Sequence, residues 1–176
     1  MTLGVIAGTW RDLDAFALGA VQSVHAYWLD VGASAFTIFG QPEVTAGVAA
    51  GLAVARLRRY PRSAIAPLLI AVTVVVEAVL KVVVAQPAPP QELSRTIHFL
   101  PFQFVQVTFA NTFPSGHVAR LAFLLRVSSG VPAWLVAGAL ALMILTRLYL
   151  ADHWLSDTIG GLALGLGTAT VARRIA

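Results

Sequence analysis

The chain has 176 residues, of which 58% are hydrophobic and only 11% charged, and that balance excludes an ordinary soluble domain. The formal charge of +4 does not signal nucleic-acid binding, because the basic residues cluster in short connecting segments, as membrane topology requires. There is no cysteine, so disulfides and thiolate metal sites are excluded.

The charges leave long runs nearly free of them. The expected fold class is therefore all-α: a polytopic membrane helical bundle of five or six transmembrane helices, forming one domain over residues 1–176. The first eleven residues lack the charged start, apolar core and small-residue cleavage site of a secretory signal. Residues 12–40 are apolar but interrupted by Asp14, Gln22, His25 and Asp30. They read either as one tilted span or as two short interfacial helices joined near His25, with Tyr27 and Trp28 at headgroup level. Residues 42–57 form a short span rich in alanine and glycine, ending at the basic run RLRRYPR (56–62). Residues 63–85 form a long β-branched span whose two charges, Glu77 and Lys81, stand one helical turn apart and are expected to pair. The run QPAPPQ (86–91) stops that helix. The segment IHFLPFQFVQVTF (97–109) is unusually apolar for a connection and is expected to lie on the membrane surface. Further spans are expected over 115–127, 132–150 and 153–172, the last containing GGLALGLG, which permits close helix approach.

Basic residues fix the orientation. Arg56, Arg58, Arg59 and Arg62 mark a cytoplasmic side, and counting spans forward puts Arg126, Arg173 and Arg174 there too. Lys81, Arg95, His117, Arg120, Arg147 and His153 then converge on the opposite face, the periplasm or exterior of a bacterial inner membrane.

Two stretches carry chemistry. In RLYLADHWLSD (147–157), His153 and Asp157 are four apart and would share one face of a helix. A carboxylate on one imidazole nitrogen leaves the other free as base or nucleophile, and Arg147 offers a fork suited to phosphate oxygens. On the same helix Asp152 would point elsewhere, toward solvent or Arg120. In FPSGHVAR (113–120), Pro114 and Ser115 are helix-start residues and Gly116 lets backbone approach a ligand closely. Free N–H groups there make an anion site, and His117 stands where it could donate a proton to a departing oxygen. The bland alternative for each is a polar side chain that snorkels to water at the membrane edge. His25 and His98 have no partner pattern and read as interfacial. No carboxylate pair or His-x3-His set indicates a metal, and no cofactor is expected.

These stretches resemble the type-2 phosphatidic acid phosphatase superfamily of membrane lipid phosphatases, which carries the blocks Lys-x6-Arg-Pro, Pro-Ser-Gly-His and Ser-Arg-x5-His-x3-Asp. The second block stands unaltered as Pro114, Ser115, Gly116 and His117. The third stands as Arg147, His153 and Asp157, with Thr146 in place of the serine. The first keeps Lys81 and Pro89 but has Ala88 where the family has arginine. The likeness runs from about Lys81 to the C-terminus. It implies a metal-independent hydrolase of lipid phosphates or diphosphates: undecaprenyl diphosphate, phosphatidylglycerol phosphate or phosphatidic acid. His153 is then the expected nucleophile, Asp157 its orienting acid and His117 the general acid. Lys81, Arg147 and the backbone near Ser115 and Gly116 would bind phosphate, with Arg120 replacing the lost arginine and Arg95 a weaker replacement. The acyl or prenyl tail would approach between spans past 97–109. The alternatives are a lipid phosphotransferase and a non-catalytic lipid-binding or transport protein.

Overall fold

A computed structural model of the chain describes residues 8–99 and 109–175. Among these the chain is helical: α1 (Arg11–Gln22), α2 (Tyr27–Thr37), α3 (Pro42–Leu57), α4 (Ile65–Leu68), α5 (Ile70–Val83), α6 (Gly116–Val127), α7 (Ala133–Tyr149) and α8 (Leu155–Ile175). Residues 12–40 thus resolve into two short helices that break at His25, with Tyr27 and Trp28 both exposed.

The break between α4 and α5 follows from sequence. Pro67 has no N–H to give the Ser63 carbonyl, and the ladder stutters at Leu69. Arg56 Nη1 reaches that carbonyl at 3.4 Å, while Arg56 Nη2 takes the Val127 carbonyl at the end of α6 at 2.6 Å. One arginine thereby ties three helix ends together at the basic end of the bundle.

Helix α6 is the axis. It is apolar nearly all round, and Val118, Ala119, Ala122 and Phe123 are fully buried, as a core helix requires. Its most extensive contact is with α8. That contact depends on glycine: a Cβ on Gly161 would lie 2.3 Å from the Ser115 carbonyl oxygen, and one on Gly165 would lie 2.2 Å from that of Ala119. The small-residue run expected from sequence is thus a backbone-to-backbone seam. On one side of it Phe123, Leu124 and Val127 pack with Ala49, Ile70 and Ala169; on the other Val118, Leu121 and Ala122 pack with Leu140 and Met143.

Length and composition qualify one helical stretch, Arg62–Val83 with 22 residues, to cross a membrane. Tyr27–Gly40 and Pro42–Leu57 qualify together as a pair bent by 46°. Among the described residues that is one or two, against the five or six expected. The rest fall short for visible reasons. Helix α7 is apolar but has 17 residues, and α6 has 12, about 18 Å of rise. Helix α8 is long enough, but glycine, threonine and Asp157 dilute its apolar character.

The seam gives a direct prediction. Gly165→Val should destabilise the fold by at least about 2 kcal/mol through overpacking against backbone that cannot yield. Gly138→Ala, with open space around it in the interior of α7, should be neutral or stabilise by up to about 1 kcal/mol. Unfolding midpoints in detergent that were equal for the two variants would contradict the seam.

Candidate active site

The site is assembled at the junction of three helix ends. Helix α7 ends in a Schellman arrangement, in which Ala151 N–H donates to the Leu148 carbonyl at 3.0 Å and Asp152 N–H to that of Arg147 at 3.1 Å. Ala151 takes the left-handed position, φ 55°, which glycine usually fills. This turn folds Asp152 back over its own helix end. Its Oδ2 lies 2.7 Å from Arg147 Nη2, and both its oxygens accept from Thr96 Oγ1 at 2.9 Å. The expectation that Asp152 would face solvent or Arg120 is therefore corrected: the left-handed turn reverses the chain, which a helical projection could not show.

His153 also lies off the helix, since α8 starts at Leu155. The pair with Asp157 forms all the same. Asp157 is the third residue of α8 and reaches back, as the acid of a capping box does, to the Trp154 N–H at 2.9 Å. The same Oδ2 stands 3.2 Å from His153 Nδ1. Asp157 is fully buried, and its main-chain carbonyl accepts the Ser115 N–H at 2.9 Å. Sequence reading assigned that N–H to phosphate; the structure commits it to α8. Among the described residues the first-turn N–H groups of Gly116, His117 and Val118 remain without an acceptor in the chain.

Burial pushes the His153 imidazole below its ordinary 6.5; the hydrogen bond and charge of Asp157 push it up, and Arg147 and Lys81 push it down. The net shift is downward, which favours the neutral ring. With Nδ1–H donating to Asp157, Nε2 carries the lone pair.

Glu77 organises the cations. It pairs with Lys81 Nζ at 3.3 Å, as its spacing predicted, and with Arg120 Nη1 at 2.6 Å. Arg120 Nε donates to the Gly40 carbonyl at 3.0 Å, so two of its three nitrogens are engaged within the fold. A Cβ at Gly116 would stand 2.0 Å from the Glu77 carboxylate, so any larger residue there must push Glu77 from its place. Lys81, Arg120, Arg147 and His153 all lie within electrostatic reach of His117. The expected residues are thus gathered around one point. Ser115 Oγ and Arg147 Nε are buried there with no hydrogen-bond partner. Arg95 sits over the Tyr149 ring, 5.9 Å from its centre.

The end of the first block is fastened beside the second: Pro87 bridges Asn111, Thr112 N–H donates to the Gln86 carbonyl at 2.9 Å, and Asn111 Nδ2 caps the Lys81 carbonyl at 3.0 Å. A cavity of about 210 Å³ opens onto His117, Arg147 and Asp152 from between the α2–α3 bend and Thr96–Phe99. His98, expected only as an interfacial residue, lines it, as do Ile97 and Phe99 of the segment expected to guide the tail. The remainder of that segment, 100–108, lies outside the described residues. Among the described residues no cluster of three or more His, Cys, Asp or Glu side chains is placed to hold a metal ion.

An all-helical bundle that gathers two histidines, a buried orienting aspartate and three cations at one end of its central helices defines a recognisable class. Residues 62–176 match the family model of the PAP2 superfamily, and the chain belongs to that superfamily. The fold is similar to that of a transmembrane PAP2-type phosphatidylglycerolphosphate phosphatase from Bacillus subtilis, at 18% identity and a TM-score of 0.77 over 98% of this chain and 90% of that one. It is also similar to Aquifex aeolicus LpxE, at 20% identity and a TM-score of 0.70 over 92% of this chain and 95% of that one. No curated protein matches the chain in sequence.

Removing the charge that holds one buried and one half-buried cation should be costly. Glu77→Gln is expected to lower stability by about 3 kcal/mol, because Arg120 is left buried, and Lys81 half-buried, without a counter-charge. Chemical unfolding in detergent reads this directly, and a loss under about 1 kcal/mol would show that the cations find other partners.

Proposed function

We propose that the chain is an integral membrane phosphatase that removes the terminal phosphate from a lipid phosphate or diphosphate through a phosphohistidine intermediate on His153. The observation that carries this reading is the set of unmet donors beside a neutral, oriented histidine. Ser115 Oγ and Arg147 Nε are buried and unpartnered, and a buried donor without a partner costs about 1–3 kcal/mol unless something completes it. A phosphoryl group completes both. Its oxygens fit the Arg147 fork, the Ser115 hydroxyl and the first-turn N–H groups of α6 from Gly116 onward, with Lys81 adding charge.

In this reading Nε2 of His153 attacks phosphorus and the bond to the leaving oxygen breaks. Asp157 holds the ring and stabilises the cationic phosphoimidazole as it forms. His117 gives its proton to the leaving alkoxide or phosphate. It then takes one from the water that hydrolyses the phosphohistidine, restoring His153. Arg120 contributes through its charge and by anchoring Glu77, which keeps Lys81 beside the site. Valines 72, 74, 75, 79, 82 and 83 are all exposed along α5, an apolar face that suits lipid and not water. The active end faces the periplasm or cell exterior, opposite the end where Arg56 and Arg173 gather. The tail of the substrate lies along Ile97 and Phe99. Undecaprenyl diphosphate, phosphatidylglycerol phosphate and phosphatidic acid are the substrates to compare.

The experiment is inorganic phosphate release from these three lipids in detergent with excess EDTA, together with acid–base quench trapping of labelled enzyme. Wild type should release phosphate from at least one lipid and carry acid-labile label; His153→Ala should do neither. Asp157→Asn should lower kcat by roughly 10³–10⁴-fold with the fold kept. The acidic limb of kcat should lie below pH 6.5, since burial lowers the His153 imidazole and protonation removes its lone pair. Release that required an added acceptor lipid would identify a transferase. No release and no label from a folded chain would overturn the reading.

A further inference from the structure

Helix α8 starts with Trp154 at its N-cap, a side chain with no oxygen to accept the orphaned N–H groups of the first turn. The acceptor comes from another helix. Asp14 on α1, 5% exposed, accepts the Ser156 N–H at Oδ1 (2.8 Å) and the Ser156 hydroxyl at Oδ2 (2.7 Å). Gln86 Nε2 donates to the same hydroxyl at 2.8 Å, and Trp154 Nε1 donates to the Pro87 carbonyl at 2.8 Å. Ser156 stands next to Asp157 and three residues after His153, so every one of these bonds acts on the turn that presents the pair.

We infer that Asp14 is a positioning residue for the reaction, capping α8 from outside and thereby fixing the His153–Asp157 turn. This rests on the roles given to those two residues above. Asp14 lies outside the residues that match the family model, so no family block marks it. Its carboxylate lies within electrostatic reach of Asp157, and holding two like charges at one helix start is unfavourable unless donors compensate. The α8 N-terminus supplies such donors: the Ser156 N–H and hydroxyl for one acid, the Trp154 N–H and His153 for the other. The two acids divide the end of one helix between them. One sets where the turn sits and the other sets how the imidazole points.

The full chain in detergent tests this with two readouts: titration of the His153 ring by NMR, and kcat and KM on whichever lipid phosphate wild type hydrolyses. The charged or titratable groups facing that ring are Asp157 from α8, Arg147 from α7, Lys81 from α5 and His117 from α6. Asp14→Ala should lower kcat on the order of 100-fold with KM within about threefold, the loss typical of a reacting group displaced by about 1 Å. The His153 midpoint should move to lower pH, because the Asp157 contact that raises it loosens. Asp14→Asn, which keeps an oxygen for the Ser156 N–H, should recover most of the loss. Asp12→Ala, at an exposed position on the same helix, should match wild type. An Asp14→Ala variant with unchanged His153 midpoint and kcat overturns the inference, and so does an equal loss in Asp12→Ala. If Asp14→Ala does not fold, Ser156→Ala takes its place, with the same direction expected and the same null result decisive. A wild type that hydrolyses no lipid phosphate overturns the phosphatase reading alone, since the NMR arm still reports on Asp14.

Discussion

One residue joins the two halves of this site. Asp157 holds the Trp154 N–H and the His153 ring with a single oxygen, and its own carbonyl holds the Ser115 N–H at the start of α6. The second and third sequence blocks are therefore one hydrogen-bonded unit, although some forty residues separate them in the chain. Such a unit can form only where the two backbones nearly touch, and the α6–α8 seam provides that: Gly161 lies against the very Ser115 carbonyl that begins α6. Close packing of small residues is usually read as a means of holding membrane helices together. Here it also sets the distance between two catalytic candidates.

Charge is arranged around that unit in a second layer. Lys81, Arg120 and Arg147 stand against Glu77, Asp152 and Asp157, and each acid is bonded to a cation or to His153. Buried ion pairs seldom add net stability, because desolvation offsets most of the Coulomb gain. Their value lies in geometry: a guanidinium already held by one carboxylate loses little rotamer freedom when a second anion arrives. This accounts for the spread of engaged and unengaged atoms. Arg120 spends Nε and Nη1 inside the fold, whereas Arg147 spends Nη2 on Asp152 and keeps Nε unpartnered.

Much of this was legible in the sequence, and the limits are instructive. Periodicity and proline placement gave the helix at 42–57 to the residue, and the ends of α6, α7 and α8 to within a few residues. The Glu77–Lys81 pair and the His153–Asp157 pair followed from spacing four, which works on a helix and, for Asp157, also from the third position of one. What spacing could not give was anything decided by a reversal of the chain or by contact between distant segments. Asp152 turned back on Arg147 because Ala151 is left-handed, a conformation that alanine does not advertise. The Arg120 bond to Gly40 spans eighty residues, and the Asp14 bond to Ser156 spans 142. The only signal for Asp14 was an acid placed within an apolar stretch, which marks a partner without naming it.

The least regular part of the chain is also tied to the candidate site. Thr96 donates to both oxygens of Asp152, Ile97 N–H donates to Ser34 Oγ at 2.9 Å, and Arg95 N–H donates to the Leu150 carbonyl at 3.2 Å. Three consecutive residues of the connection are thus hooked to α2 and to the end of α7. The last of these, Ile97, and the two that follow, His98 and Phe99, form a wall of the cavity over His117 and Arg147. A segment that was only apolar would settle wherever lipid allowed. Here the polar hooks come first and the apolar residues follow, so that a greasy wall is held at a fixed height above a charged floor. Under the proposed function, the charged floor would meet the phosphate of a lipid phosphate and the apolar wall its tail.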